Sequence, residues 1–330
     1  SAAALVLSFG PTSGQAPGPR PGVPPAASGC GSPGALGVTR VVDIDTGTGP
    51  RFGHQQYHDH DFLADGEVVL TFDDGPNRTY TQSILEALDS HCTKATFFMV
   101  GRMALSDPAM VKSVARRGHT IANHTFSHKK QAGLSPAEAR AEIELGFSAI
   151  QKALGAPIAP FFRFPYLSDP KSSIAYVQSR HSAIFSIEVD AYDYRTPSAV
   201  QVVQNVMNQL RAKRKGIILF HDIQPSTAGA MRMLLAELKT RGYRVVHVRP
   251  KAGYQTLAEF DVRVGAEHRH RENVAAANPM VKRAVTWPVA APPLPPVAVQ
   301  PLPPPPAEAP PRPKRVTEDP DWRRGIFGGN

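Results

Sequence analysis

The sequence predicts an α/β fold: a distorted parallel (β/α) barrel of about seven units, preceded by a loop-rich N-terminal leader and followed by a disordered Pro-rich C-terminal tail. Three observations predict it. Between Glu67 and Val248 short apolar runs alternate with segments of helical spacing, the pattern of repeated βα units. The runs are apolar throughout, as in Val68–Phe72 and Gly216–Phe220, so both faces of each strand are expected to be covered, as in a parallel sheet under helices. No glycine-rich phosphate loop follows the first strand, which removes support for a nucleotide-binding sheet, and seven strands in so short a stretch favour a compact barrel.

Residues 1–64 read as the leader. Its apolar run Ala2–Phe9 and the small-x-small site Gly14-Gln15-Ala16 resemble the end of a secretory signal peptide, too short to span a bilayer, and the protein is expected to be secreted or periplasmic. A Pro-rich stretch precedes Ala27-Ser28-Gly29-Cys30, which argues against lipidation there. Thr39–Ile44 is strand-like, and the crowded His54, His58 and His60 are expected to be solvated imidazoles.

The barrel is assigned to residues 65–252. Val68–Phe72 is a buried strand halted by Gly75-Pro76, and Thr79–Leu88 has helical spacing. Strand Ala95–Val100 ends at Gly101, helix Asp107–Arg117 is closed by Gly118, and Thr120–Ala122 is a third strand. A Ser-Pro-Ala-Glu capping pattern opens helix Ser135–Leu154. Then come strands Phe161–Phe164 and Ala183–Ile187, helix Ser198–Arg211, strand Gly216–Phe220, helix Thr227–Arg241 and strand Tyr243–Val248. In residues 253–330 one short helix is expected at Tyr254–Phe260, and Pro288–Pro313 should be an extended polyproline spacer.

The net charge of +9 is scattered, without the aromatic-interleaved basic stripe of a nucleic-acid binder, so no nucleic-acid partner is expected. Two cysteines cannot make a cysteine-based zinc site, so a metal here must use His and carboxylate. A Cys30–Cys92 disulfide is expected in an oxidising compartment, two unrelated buried thiols being the alternative.

Polar residues gather where the strands end, which is where such barrels place their chemistry. Asp73-Asp74 follow the first strand, His124 and His128 the third, Arg163 the fourth, Asp190–Tyr194 the fifth and His221-Asp222 the sixth. His124 and His128 share a face if their segment makes a helical turn; the spacing alone also suits a surface or capping pair, but with a strand-end carboxylate they form an open His-His-Asp site. Such a site lowers the pKa of bound water to about 7. Asp74 is the proposed ligand, and Asp73 is the candidate base with Arg163 to keep it ionised, the alternatives being an Asp-Asp turn and an ordinary structural arginine. His221 near Asp193 would stay protonated as a general acid, the alternative being a satisfied core histidine.

The ordered set Thr71-Phe72-Asp73-Asp74-Gly75-Pro76, His124-Thr125-Phe126-Ser127-His128, Arg163-Phe164-Pro165-Tyr166, Asp190–Tyr194 and Leu219-Phe220-His221-Asp222 resembles the NodB-homology polysaccharide deacetylases, carbohydrate esterase family 4. The resemblance covers about Glu67 to Val248. It implies hydrolysis of the acetamide of an N-acetylated sugar polymer, peptidoglycan or chitin-like, with a divalent metal such as Zn2+, or Co2+, Ni2+ or Mn2+. By motif position Asp74, His124 and His128 would be the ligands, Asp73 the base oriented by Arg163, and His221 the acid tuned by Asp193. The Tyr166 backbone N–H would hold the oxyanion with the metal, and Leu219 would line the acetyl pocket. Two departures bear on substrate choice: Tyr194 stands where many relatives have Trp, and Leu167 where Gly is frequent. An O-acetyl polysaccharide esterase and a non-catalytic carbohydrate-binding relative are the alternative readings.

Overall fold

In the computed structural model, which describes residues 34–277, the leader supplies two strands, β1 (Arg40–Ile44) and β2 (Arg51–Phe52). The chain continues through β3 (Glu67–Asp73), α1 (Arg78–Ser90), β4 (Thr96–Met99), α2 (Gly101–Ser106), α3 (Pro108–Arg116), β5 (Thr120–Asn123) and α4 (Pro136–Leu154). It then forms β6 (Phe161–Phe162), α5 (Lys171–Ser179), β7 (Ala183–Phe185), β8 (Val189–Asp190), α6 (Ala199–Lys213), β9 (Gly216–His221), α7 (Pro225–Thr240), β10 (Arg244–Pro250) and α8 (Ala258–Ala277). Cys30, Ala2–Phe9 and Pro288–Pro313 lie outside the described residues, so the expectations made for them stay expectations.

All strand pairings are parallel, as the wholly apolar runs demand, and β3 is buried at every position. Hydrogen bonding passes from β9 to β3, β4, β5, β6 and β7; the return to β9 is made by β8, a continuation of the β7 backbone. One stretch of chain thus closes the ring. The expected strand Ala183–Ile187 stops at Phe185 for a physical reason: Arg163 Nε and Nη2 donate to the carbonyls of Phe185 and Ser186, each at 3.2 Å, taking them out of the ladder. Strand β6 covers only the first half of Phe161–Phe164, Arg163 keeping one backbone bond to β5 from its N–H to the Asn123 carbonyl at 3.1 Å.

Strand β10 pairs β3 only at Arg244 and Val245, then swings away to pair all five residues of β1 and frees that edge of β3 for β4. At the other side β2 pairs β7. The leader is therefore part of the sheet at two places.

Local signals account for the helices that the sequence marks. Ser135 and Glu138 form a capping box on α4, and Gly155 (φ 80°) ends it. Three helices go beyond the sequence reading. Neither α2 nor α5 has a side-chain cap; α2 exists because Gly101 fits against α4, where a Cβ would meet Ala149 and Phe126 at 3.0 Å. The short helix expected at Tyr254–Phe260 is instead the longer α8, whose Phe260 and Val264 pack with Leu105, Phe126 and Leu145. One apolar pair in a charged segment gives little periodicity, so packing decides this helix. Among the described residues no helix is long and apolar enough to cross a membrane.

The leader is clasped by Arg40, whose Nε and Nη2 donate to the two Glu67 carboxylate oxygens at 2.9 and 2.6 Å; the Ala64 N–H adds a bond at 2.8 Å. Against the cost of burial these bonds hold the Glu67 carboxyl down at about 2, from an ordinary 4.5. A depressed folded-state pKa contributes stability that is present above 4.5 and lost as pH falls through about 2. Glu67→Gln is expected to cost about 1–2 kcal/mol at neutral pH. In denaturant titrations that difference should shrink between pH 4.5 and 2.

Candidate active site

Parallel strands put all their C-terminal ends on one rim, and register sets the level of each group there. Asp73 is paired with His221 of β9 on one side and Phe98 of β4 on the other. Asp74 follows in the left-handed region (φ 78°), and both carboxylates are buried. The next residue has to be glycine, because a Cβ on Gly75 would lie 2.2 Å from both Asp222 carboxylate oxygens.

Asp74 Oδ1 lies 3.1 Å from His128 Nε2 and 3.5 Å from His124 Nε2. Among the described residues neither Asp74 oxygen has a hydrogen-bond partner, although both are buried. Burial alone would raise this carboxyl, yet His128 foremost, and then His221, hold it well below the usual range. His124 donates Nδ1–H to the Arg163 carbonyl at 2.8 Å, which leaves the Nε2 lone pair on the carboxylate side. Burial, and then His128, push this imidazole down, so it is neutral. Two imidazoles and an ionised, unpartnered carboxylate, with one ligand atom from each within 4.8 Å of the others, fit a divalent cation.

The two histidines do not come together through a helical turn. Residues 124–128 form an irregular loop with Thr125 (φ 69°) and His128 (φ 62°) left-handed. Glu142 of α4 fixes it, its carboxylate accepting from Ser127 N–H at 2.8 Å and Ser127 Oγ at 2.7 Å, while its carbonyl accepts from Phe126 N–H. Gly146 lets α4 approach, since a Cβ there would meet Asn123 Oδ1 at 2.2 Å. The spacing of four is real, but tertiary contacts aim the rings.

Arg163 is fully buried, its guanidinium 4.2 Å from the Phe98 ring centroid. Besides the two carbonyls it donates through Nη1 to Asp73 Oδ1 and Thr71 Oγ1, both at 2.8 Å. Burial pushes the Asp73 carboxyl up to about 6, against the pull of Arg163 and His221. Across the cavity, the Asp193 carboxylate faces His221 Nδ1 at 2.7 Å and accepts from the His221 backbone N–H at 2.7 Å and from Thr227 Oγ1. Burial opposes protonation of His221, but the Asp193 charge and hydrogen bond, with Asp74 and Asp73, raise it to about 9.

Asp73, His124, His128 and His221 open on a cavity of about 360 Å³, which Tyr166, Tyr194 and Leu219 also line. Tyr166 lies against His128 (centroids 4.7 Å) and Tyr194 stands edge-on to His221 (5.6 Å). Leu167 lies on this wall, as expected of a residue bearing on substrate choice; sequence reasoning gave no role to Phe164 and Asp190 beside it or to Thr71 behind it, and missed Gln55, Gln56, Glu142 and Thr227. The glutamines come from the leader, which carries no motif. His54, expected to be solvated, bonds Glu188 through its backbone N–H (2.6 Å) and ring (3.0 Å). A larger cleft, about 650 Å³, lies at the start of β5; its His119 and His247 are pushed down by burial to about 3 and 4 and are neutral.

Comparison with known proteins agrees with this arrangement. The polysaccharide deacetylase family model matches residues 63–181. A peptidoglycan-N-acetylglucosamine deacetylase of Bacillus cereus is 33% identical over 186 residues, 55% of this chain and 85% of the relative. The chain belongs to the polysaccharide deacetylase family. Among solved structures, the peptidoglycan deacetylase of Bdellovibrio bacteriovorus superposes with a TM-score of 0.61 at 33% identity, covering 70% of this chain and 66% of that one. A CE4 family pseudoenzyme from Bacillus anthracis superposes with a TM-score of 0.52 at 26% identity, covering 55% of this chain and 63% of that one. Since this fold also carries a pseudoenzyme, activity in a family member has to be argued from the side chains present.

Gly75→Ala is expected to destabilise by about 1–3 kcal/mol through overpacking against Asp222. The loss should be smaller in an Asp222→Ala background, both read from thermal unfolding.

Proposed function

We propose that the protein hydrolyses N-acetyl groups on an amino-sugar polymer, peptidoglycan or chitin-like, releasing acetate outside the cytoplasm. The observation that carries this is the division of labour between adjacent carboxylates: Asp74 is ionised and unpartnered beside two imidazoles, whereas Asp73 is held by Arg163. A site that only bound sugar would have no use for Asp73, Arg163 and a protonated His221.

Asp74, His124 and His128 would hold a divalent cation, Zn2+ or one of Co2+, Ni2+ and Mn2+, which share such donors. When bound it supplies a Lewis acid for the acetamide carbonyl and a water of lowered pKa. Asp73 takes a proton from the attacking water; Arg163 occupies Oδ1, so Oδ2 is the basic atom. The new carbon–oxygen bond forms as the carbon–nitrogen bond breaks, and His221, its Nδ1 bonded to Asp193, delivers a proton from Nε2 to the departing amine. Asp193 keeps that proton available and aims the ring. Leu219 and Tyr166 line the cavity where the acetyl group would sit, and Tyr194 packs the acid.

Acetate release from peptidoglycan, chitin oligomers and acetylated xylan, with metal-stripped and zinc-restored protein side by side, tests the reading. Zinc-dependent release from an N-acetylated polymer is expected; release from xylan alone would make the protein an O-acetyl esterase, and bound zinc without turnover a binding relative. Asp73→Asn should keep its metal and lose about 10²–10⁴ in kcat. His124→Ala should lose both metal and turnover. Activity should decline as pH rises through about 9, where His221 loses its proton. Asp193→Asn removes the charge that opposes desolvation, so the decline in its pH–rate profile should move to lower pH.

A further inference from the structure

The loop that carries Tyr166 is strained. Tyr166 (φ 60°) and Leu167 (φ 50°) are consecutive non-glycine residues in the left-handed region, closed by single bonds from Leu167 N–H to the Phe164 carbonyl and from Ser168 N–H to the Pro165 carbonyl, both 3.0 Å. Such a conformation persists only where the surroundings impose it.

Here the surroundings belong to the leader. Gln56 Nε2 donates to the Leu167 carbonyl at 2.7 Å and to Asp169 Oδ1 at 2.9 Å, and its Oε1 accepts from Ser186 Oγ at 2.7 Å. Tyr57, buried, donates its hydroxyl to Asp169 Oδ2 at 2.6 Å. The segment is anchored. Ser186 N–H donates to the Phe52 carbonyl at 2.7 Å and Gln55 N–H to the Ile187 carbonyl at 3.0 Å. Gly53 (φ 99°) is pressed so close that a Cβ would lie 2.4 Å from the Ser186 carbonyl carbon. The same link offers its Ser186 carbonyl to Arg163.

We infer that Gln56, backed by Tyr57 and Asp169, is a positioning residue: it clamps the 166–169 loop to the link between β7 and β8 and so keeps Tyr166 against the His128 ring and on the groove wall. Its amide is suited to this. It gives two hydrogen bonds and accepts one, across three segments far apart in sequence, and carries no charge to disturb the neighbouring ionised site. The kinetic half of the inference rests on the deacetylase reading; the structural half does not.

The test pairs Gln56→Ala with Gln56→Glu in the full-length, zinc-loaded protein; the second variant keeps size and the acceptor for Ser186 and removes the donor. Amide hydrogen exchange at Leu167 and Ser168 should rise about tenfold or more in both, with β3, β4 and β9 unchanged. Turnover of the N-acetylated polymer should fall about 10- to 100-fold in kcat, with KM shifted by less than about threefold. Unchanged exchange at Leu167 and Ser168, or exchange raised equally through the barrel strands, overturns the clamp. Local exchange without a change in kcat overturns its bearing on the reaction. A wild-type protein with no deacetylase activity would sink the proposed function while the exchange data still decide the clamp.

Discussion

The buried ion pair between Arg163 and Asp73 sets most of what surrounds it. A guanidinium without access to water must place its donors on the protein, and Arg163 places them on Asp73, Thr71 and two carbonyls where β7 ends and the link to β8 begins. Its own carbonyl fixes the His124 tautomer. One residue therefore joins the proposed base, a proposed ligand and the break in the sheet. Leaving one partner of such a pair uncompensated costs roughly 3–5 kcal/mol, so the distortion of the barrel and the state of Asp73 are maintained together.

Asp73 and Asp74 show how neighbouring carboxylates acquire different work. Both are buried, and burial raises a carboxyl. Asp74 faces imidazoles and stays fully ionised, whereas Asp73 faces one guanidinium on one oxygen and is lifted to about 6. Strand alternation sends successive side chains opposite ways, but Asp74 has already left the strand through its left-handed backbone, which brings both acids to the same mouth. Gly75 makes that turn sterically possible.

Much of this was legible in the sequence. Apolar runs with punctuating Gly and Pro placed β3, β4, β5 and β9, and the capping pattern placed α4, because these elements are determined by burial and local hydrogen bonding. The five motifs landed on one rim because parallel strands all end there. What escaped depended on tertiary contact. Nothing local caps α2 or α5, and the His124–His128 loop takes its shape from Glu142 and Gly146. Gln56 has no pattern around it; its meaning lies in the carbonyl of Leu167, far along the chain. The resemblance supplied roles for Asp73, Arg163 and His221 that spacing alone left open between structural and catalytic use.

The leader's place in the sheet has a consequence for how the chain acquires its structure. Strand β1 finds its partner in β10, with Arg40 opposite Val246, and β2 finds its partner in β7. Residues that leave the ribosome early thus wait for residues made late, and contacts of such long sequence separation form slowly because a large loop must close first. Until β10 arrives, β1 has no neighbour and the edge of β3 near Glu67 is uncovered, which makes the unfinished barrel sticky. The groove wall at Gln56 needs only residues 167–187, whereas the sheet edge at β1 is complete only when β10 is in place.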